Sequence, residues 1–358
     1  MWTQPVRHTV ENLNIEFLLE CAWLLQAIST MAFLIHWQRE GFIDLLMAQV
    51  IIRTPKKGET PPEEYLKVKR MTRRLMFVCA VLVINFAAIV TTFVMNHVED
   101  WNEPYMGLHR FDFAYAIISI YGFTVFNLTL IIFVVTVQCV LIQLQDFNRK
   151  LKAVLSTSIA STDNRLTLPD RLLEMLEMHN KLADKIHLVD SMFRAYTFTS
   201  MAFGIPTSVL ALIVLIRRRM LLALYYSFND TACCTFQMLG LTIVPAQIYM
   251  EFRSVHNILY RNSALWKNYD ARFYQISRTF AKSAMQTNTG ITLGGFIPIT
   301  KSLILSSLSL ILPYVMLCLQ LHVGTNYITS SNVHQNEMMS DDEPFDKFPV
   351  LLWADLLN

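Results

Sequence analysis

Six long apolar runs, each with few charged residues, constrain this chain more than any other feature of its sequence. A helix needs about 20 apolar residues to cross the hydrocarbon core of a bilayer, and all six runs reach that length. Lipid offers backbone amides no hydrogen-bond partner, so segments that span it must be helical. The sequence therefore predicts an all-α, polytopic transmembrane helical bundle with spans at residues 17–37, 75–95, 113–142, 196–216, 231–250 and 291–322.

Basic residues collect in alternate loops, and Lys and Arg in short loops are retained in the cytoplasm. The loops after the first, third and fifth spans are basic, whereas residues 96–112 and the C-terminal tail are acidic. Residues 1–13 lack the pattern of a signal peptide, so both ends of the chain are expected outside the cell. Residues 217–219, all Arg, break the alternation; they either extend to the outer headgroups or mark a misplaced span boundary.

The cytoplasmic loops carry helical patterns of their own. Apolar residues recur at helical spacing over residues 42–52, and Pro169 with Asp170 is typical of a helix start. We therefore expect long helical extensions that project below the membrane and pack together, with a turn at residues 156–163. The second extension has an apolar stripe formed by Leu172, Leu173, Leu176, His179, Leu182, Ala183 and Ile186.

No constellation of residues indicates catalysis or a bound cofactor. There is no Gly-rich phosphate loop and no nucleophile elbow, so an enzyme is not favoured. His179 and His187 lack a third ligand nearby and are interpreted as packing or solvated groups, with no metal site. The six cysteines lie in or beside spans and are expected to be packing residues. Asn229 begins an Asn-Asp-Thr sequon in a predicted extracellular loop, which makes it a candidate for glycosylation.

Aromatic residues within the spans supply walls for a small organic ligand. Tyr115, Tyr121, Phe126 and Phe203 are the candidates, although aromatic residues in spans serve more often in packing or as interface anchors. Glu20 is a further candidate, because an ionisable group inside a span is costly and usually faces a cavity or a partner. The alternative is that water reaches Glu20 near the outer end of its span.

Two regions near the C-terminus resemble one receptor family. Residues 313–321 resemble a terminal pattern of Thr-Tyr, a short hydrophobic run and Gln-Phe, with Pro313 in place of the Thr and Leu321 in place of the Phe. Upstream, a basic segment with Trp266 and Tyr269, followed by Gly294 and Gly295, resembles the family's run into a broken final helix. The chain thus resembles the invertebrate gustatory and odorant receptor superfamily, including nematode gustatory-like receptors, over residues 37–321. Its members have seven spans, and residues 17–37 align with their second.

The resemblance implies a gustatory-like chemosensory receptor that acts as a ligand-gated, non-selective cation channel. Its partners would be the lipid bilayer, a small-molecule ligand and three related or identical subunits, with no nucleic acid and no cofactor. It would be a multi-pass protein of the plasma membrane in sensory neurons. The last helix would line the pore, with Leu317 and Leu321 as the gate, Gln320 as a polar ring and Tyr314 as part of the motif.

The chain then divides into a ligand-binding bundle (1–250), a cytoplasmic anchor with the broken start of the last helix (251–300), the pore helix (301–322) and an extracellular tail (323–358). A G-protein-coupled receptor is the main alternative. The chain lacks the Asp-Arg-Tyr and Asn-Pro-x-x-Tyr motifs of such receptors, and its charges place the tail outside. A truncated modulatory subunit and, less favoured, a transporter are further alternatives. The resemblance leaves open whether the stimulus is a chemical or light.

Overall fold

A computed structural model of the protein describes residues 5–50, 63–99, 109–160, 168–217, 221–262, 271–285 and 289–316, together with Gln320. The chain divides into two compact units, Met1–Ile311 and Leu312–Asn358. Helices make up nearly all of the described chain, which confirms the predicted all-α class. They are α1 (Pro5–Arg39), α2 (Phe42–Gln49), α3 (Glu63–Glu99), α4 (His109–Ala160), α5 (Leu168–Arg217), α6 (Leu221–Arg261), α7 (Ala271–Ala284) and α8 (Lys301–Met316).

Four helical segments of the described chain are long and apolar enough to cross a membrane. They are Tyr65–Ala88, Ile117–Ser156, Pro169–Ile216 and Ser227–Arg261, and each overlaps one predicted span. The predicted span at 17–37 lies within α1, while α8 is a shorter apolar helix. The span predicted at residues 231–250 lies within α6, which begins ten residues earlier at Leu221.

The last apolar run, residues 291–322, is not helical from its first residue. Residues 291–300 are not helical; they contain a short antiparallel hairpin of β1 (Thr292–Leu293) and β2 (Ile297–Pro298). Gly294 and Gly295 turn the chain with φ values of 65° and 83°, which favour glycine, and α8 starts only at Lys301. The break predicted around these glycines is therefore confirmed. It is a hairpin, and it separates α7 from α8.

Helices α4 and α5 contain 52 and 50 residues, so each is about 75 Å long at 1.5 Å per residue. The hydrocarbon core is only about 30 Å thick, so both helices must extend well beyond it. The predicted helical extensions are thus present. The charges at Lys150 and Lys185 identify the C-terminal part of α4 and the N-terminal part of α5 as the extensions, on the predicted cytoplasmic side.

The extensions pack through the apolar stripe predicted on α5. Leu172, His179 and Ile186 are fully buried, and the ring of His179 lies 4.5 Å from that of Phe252. Leu173 is an exception: it is 48% exposed, because successive residues of a helix point about 100° apart and Leu172 takes the buried position. The amphipathic pattern at residues 42–52 corresponds to α2, which buries Leu46.

The described cysteines pack as predicted. Cys79, Cys139, Cys233 and Cys234 are buried free thiols, and Cys21 is half-buried. Burial of a small thiol among apolar residues fills space without leaving a strong polar group unpaired. These five residues are therefore part of the helix packing, and Cys318 lies outside the described residues.

Candidate functional site

An aromatic cluster joins α1, α3 and α4 in the half of the bundle predicted to face outside. The ring of Trp23 meets Phe123 edge-on at 6.2 Å and Phe126 at 6.0 Å, and Phe86 stacks on Phe123 at 4.3 Å. Phe126, a predicted ligand residue, is only 3% exposed within this cluster. The structure thus places Phe126 in an aromatic wall with Trp23, Phe86 and Phe123.

The other predicted ligand residues are not gathered at this wall within the described structure. Tyr121 is 57% exposed, and its hydroxyl lies 4.0 Å from the Met31 sulfur on α1. Phe203 on α5 is half-buried. The side chains of Glu20 and Tyr115 lie outside the described residues. Ligand contact by these four residues stays a prediction.

Two amide side chains with unpaired polar atoms are buried in the bundle. Gln26 on α1 and Gln237 on α6 are each 1% exposed. Within the described structure, the Nε2 and Oε1 atoms of Gln26 have no hydrogen-bond partner. The Nε2 atom of Gln237 has none either. An unpaired amide in an apolar interior costs about 1–3 kcal/mol, so a polar partner that enters the bundle would relieve this cost.

The backbone of α5 comes close to one of these amides. A Cβ atom at Gly204 would lie 3.6 Å from Nε2 of Gln237 and 3.2 Å from the sulfur of Met238. The glycine therefore brings α5 and α6 close together beside the amide. Residues three positions earlier on α1 and α6, Trp23 and Cys234, belong to an apolar cluster with Ala211. The amides thus lie one helical turn further into the bundle than this cluster, on the same helix faces.

A second polar contact links α3 to α6. Asn85 donates from Nδ2 to Oδ1 of Asn229 over 2.6 Å, and the Tyr225 hydroxyl donates to Oδ1 of Asn85, also over 2.6 Å. Sequence reasoning missed Gln26, Asn85 and Gln237 as functional candidates and named Asn229 only as a glycosylation site. The available signal was an isolated Asn or Gln within each apolar run.

The same contact corrects the predicted glycosylation site. Asn229 lies inside α6 and its side chain is 4% exposed, with Oδ1 occupied by Asn85. Glycan transfer requires an accessible side chain on a surface segment. The sequon therefore does not fit the structure, because the loop in which it was predicted is the first part of a helix.

A cavity of about 230 Å³ lies elsewhere, between the extensions of α4 and α5. Lys185 at its edge donates to Oε1 of Gln143 over 2.8 Å, and Gln143 donates to the Val50 carbonyl over 2.9 Å. This series of bonds ties the end of α2 to both extensions. We interpret the cavity as a groove between packed helices and not as the ligand site.

The pore candidates include Tyr314 in the last turn of α8 and residues that follow α8 in the sequence. Tyr314 is 55% exposed, and Gln320 is helical and exposed, whereas Leu317 and Leu321 lie outside the described residues. Earlier in α8, Leu305, Leu308 and Leu310 are each more than half exposed. A helix with this much open apolar surface needs lipid or other subunits to cover it.

Two solved structures of an insect olfactory receptor are similar to this chain. The receptor OR5 from Machilis hrabei matches with a TM-score of 0.65 at 12% sequence identity, covering 89% of this chain and 83% of that receptor. The same receptor in complex with eugenol matches with a TM-score of 0.62 at 14% identity, covering 84% and 79%. No protein-family model and no curated protein sequence matches the chain.

The chain is a helical protein with several membrane-spanning helices, and its fold is that of the insect olfactory receptors. The family resemblance predicted from the C-terminal motifs is thus confirmed at the level of the fold. At such low identity the similarity describes the backbone arrangement and assigns a role to no individual residue.

Proposed function

We propose that this protein is a chemosensory receptor, gustatory-like by its C-terminal motifs, that conducts cations when a small molecule binds. The observation that carries the proposal is the shared fold with an olfactory receptor whose structure was solved in complex with eugenol. The gustatory character and the channel activity both come from the resemblance. The place of action would be the plasma membrane of sensory neurons.

The buried amides and the aromatic wall support a small, mainly apolar ligand with one or two polar groups. Such sites combine apolar walls with a few placed polar side chains. Gln26 offers a donor and an acceptor, and Gln237 offers a donor, that no other described residue occupies. Trp23 with Phe126 offers aromatic surface on α1 and α4. A sugar would need many more hydrogen-bond partners than these residues provide.

The pore is assigned to α8 and the residues after it. Leu317, Gln320 and Leu321 share one helical face by their i, i+3 and i+4 spacing. In an assembly of four subunits, the two leucines would form a ring that closes the pore by excluding water, and Gln320 would form a polar ring. The exposed leucines earlier in α8 support a helix covered only on assembly.

Assembly is assigned to the cytoplasmic extensions and residues 260–286, as a homo- or heterotetramer. Helix α7 buries Phe273, Phe280 and Ala284 on its inner side, and its exposed residues include Arg278 and Lys282. A polar outer face of this kind suits contacts with charged residues of a neighbouring subunit. Contacts between charged groups determine the register of an interface and the choice of partner.

Whole-cell current from cells that express this protein alone tests the proposal. A panel of small organic compounds and ultraviolet light should include a stimulus that evokes a cation current, and blocking G proteins inside the cell should leave that current unchanged. A current abolished by the block would contradict the channel and support G-protein coupling.

An epitope after Asn358 separates the same alternatives, because the proposed orientation exposes it on intact cells, whereas a G-protein-coupled receptor hides it until permeabilisation.

A further inference from the structure

A buried carboxylate on α5 holds the hairpin that precedes α8. Asp190 is 5% exposed, and its Oδ1 accepts hydrogen bonds from the Thr292 amide over 2.6 Å and from the Thr292 hydroxyl over 2.7 Å. Hydrogen bonds to a charged acceptor in a buried position are among the strongest in proteins. A single carboxylate oxygen thus fixes both the backbone and the side chain of β1.

The remaining polar groups of Thr292 are held as well. The Thr197 hydroxyl on α5 shares its proton between the Thr292 carbonyl at 3.0 Å and the Arg194 carbonyl at 2.9 Å, and the Gly295 amide donates to the Thr292 hydroxyl oxygen over 3.1 Å. Asp190 and Thr197 lie two helical turns apart on the same face of α5. Thr292 is therefore bonded to α5 at two points along the helix, which prevents it from rotating or sliding.

The turn of the hairpin fits closely against α5. A Cβ atom at Gly295 would lie 2.8 Å from Cδ of Arg194, and one at Gly294 would lie 3.1 Å from the ring of Phe198. Arg194 also lies 3.7 Å from the second oxygen of Asp190. The absence of side chains at both glycines thus allows the hairpin to press on the helix that carries Asp190.

The hairpin continues directly into the pore helix. The Ile299 amide donates to the Ile291 carbonyl over 2.9 Å and closes the hairpin. Thr300 follows, and its hydroxyl accepts a hydrogen bond from the Leu303 amide over 3.3 Å at the start of α8. No flexible segment separates β2 from α8, so whatever holds Thr292 also holds the first turn of α8.

We propose that Asp190 is a positioning residue that clamps the base of α8 to α5, so that a displacement of α5 on ligand binding is passed to the pore helix. The inference rests on the proposed function, because it requires a ligand site in the bundle and a pore at α8. Burying a carboxylate costs free energy, which the hydrogen bonds from Thr292 and the contact with Arg194 offset, so the position of Asp190 depends on these partners.

Asp190→Ala and Asp190→Asn separate the clamp from a general loss of structure. Asn keeps an acceptor oxygen for Thr292, whereas Ala removes it. Asp184→Ala, at an exposed position on the same helix, is the matched control. In the full-length receptor in lipid nanodiscs, Asp190→Ala should raise the hydrogen-exchange rates of the Thr292 and Gly295 amides about tenfold or more. Asp190→Asn and the control should stay close to wild type.

The functional arm uses eugenol as the probe. Asp190→Ala should lower the eugenol-evoked current about tenfold while eugenol affinity changes less than about twofold, and Asp190→Asn should restore most of the current. Equal losses of affinity and current, or unchanged exchange at Thr292, would overturn the inference. A wild-type protein that gives no current with any stimulus would contradict the proposed function and not the clamp. In that case the hydrogen-exchange rate of the Thr292 amide in Asp190→Ala alone decides whether Asp190 is the clamp.

Discussion

Trp37 donates its indole N–H to the backbone carbonyl of Met192 over 3.2 Å and so fastens the end of α1 to α5. The indole ring also meets the rings of Phe193 at 4.8 Å and Tyr196 at 5.7 Å, and all three residues are fully or almost fully buried. This junction lies where the membrane-spanning part of α5 is predicted to begin. It ties the transmembrane bundle to the helical extensions.

Trp37→Ala should therefore destabilise the protein by about 3–5 kcal/mol, and Trp37→Phe by about 1–2 kcal/mol, since Phe keeps most of the ring packing but loses the hydrogen bond. Thermal unfolding in mild detergent measures both effects. Leu173→Ala, at a half-exposed position of α5, is the control and should change stability little. Equal stability of Trp37→Ala and the control would contradict the role of this junction.

Gln26→Leu should separate ligand binding from stability. Leucine removes a buried amide that has no partner among the described residues, so stability should be unchanged or slightly higher. If Gln26 binds the ligand, the ligand concentration that gives half-maximal current should rise about tenfold, because the complex loses the free energy of one hydrogen bond. Gln38→Leu, at an exposed position on the same helix, is the control. Reduced stability with unchanged potency would exclude Gln26 from the site.

Asn229 should carry no glycan. Its side chain is buried and bonded to Asn85, so a glycan on Asn229 would break this contact and would not fit the packed start of α6. Digestion with an N-glycosidase should leave the electrophoretic mobility of the protein unchanged, and Asn229→Gln should migrate like the wild type. A shift that disappears in Asn229→Gln would show that this helix opens to solvent.

His179 should make stability depend on pH. Burial among Phe147, Phe252 and Phe280 lowers its pKa from 6.5 to about 4. The unfolded chain therefore binds a proton below pH 6.5 that the folded protein does not bind. The contribution of His179 to the free energy of unfolding is fully present above about pH 6.5. It falls by up to about 3 kcal/mol as the pH approaches 4. His179→Phe should flatten this part of the stability curve, and an unchanged curve would contradict the burial.

The helices and their approximate positions could be predicted because long apolar runs leave few alternatives in lipid. The start of α8 near residue 301 could also be predicted, from the glycines before it, but the hairpin at residues 291–300 could not, because this segment is as apolar as a span and the positive φ values at Gly294 and Gly295 are a property of the fold. Asn229 was predicted in a loop for a related reason: α6 begins at Leu221, before the apolar run that predicts the span. The partner of Asp190 is 102 residues away, and such a tertiary contact has no local signal in one sequence.

The same limit applies to the ligand site. Aromatic residues in spans are abundant, so their type alone could not distinguish the buried Phe126 from the exposed Tyr121. That distinction depends on which face of α4 meets α1 and α3, which is a property of helix packing. Isolated amides such as Gln26 and Gln237 were the better signal, because they are rare and costly in an apolar bundle.

Recording from planar lipid bilayers that contain only the purified protein tests the central claim most directly. A ligand-gated channel should open in these bilayers when an active compound is added, with no other protein present. Leu317→Ser should raise the current without ligand, and Gln320→Glu and Gln320→Lys should shift cation selectivity in opposite directions. Bilayers that stay silent with a compound that activates the same protein in cells would contradict the claim that this chain forms the pore.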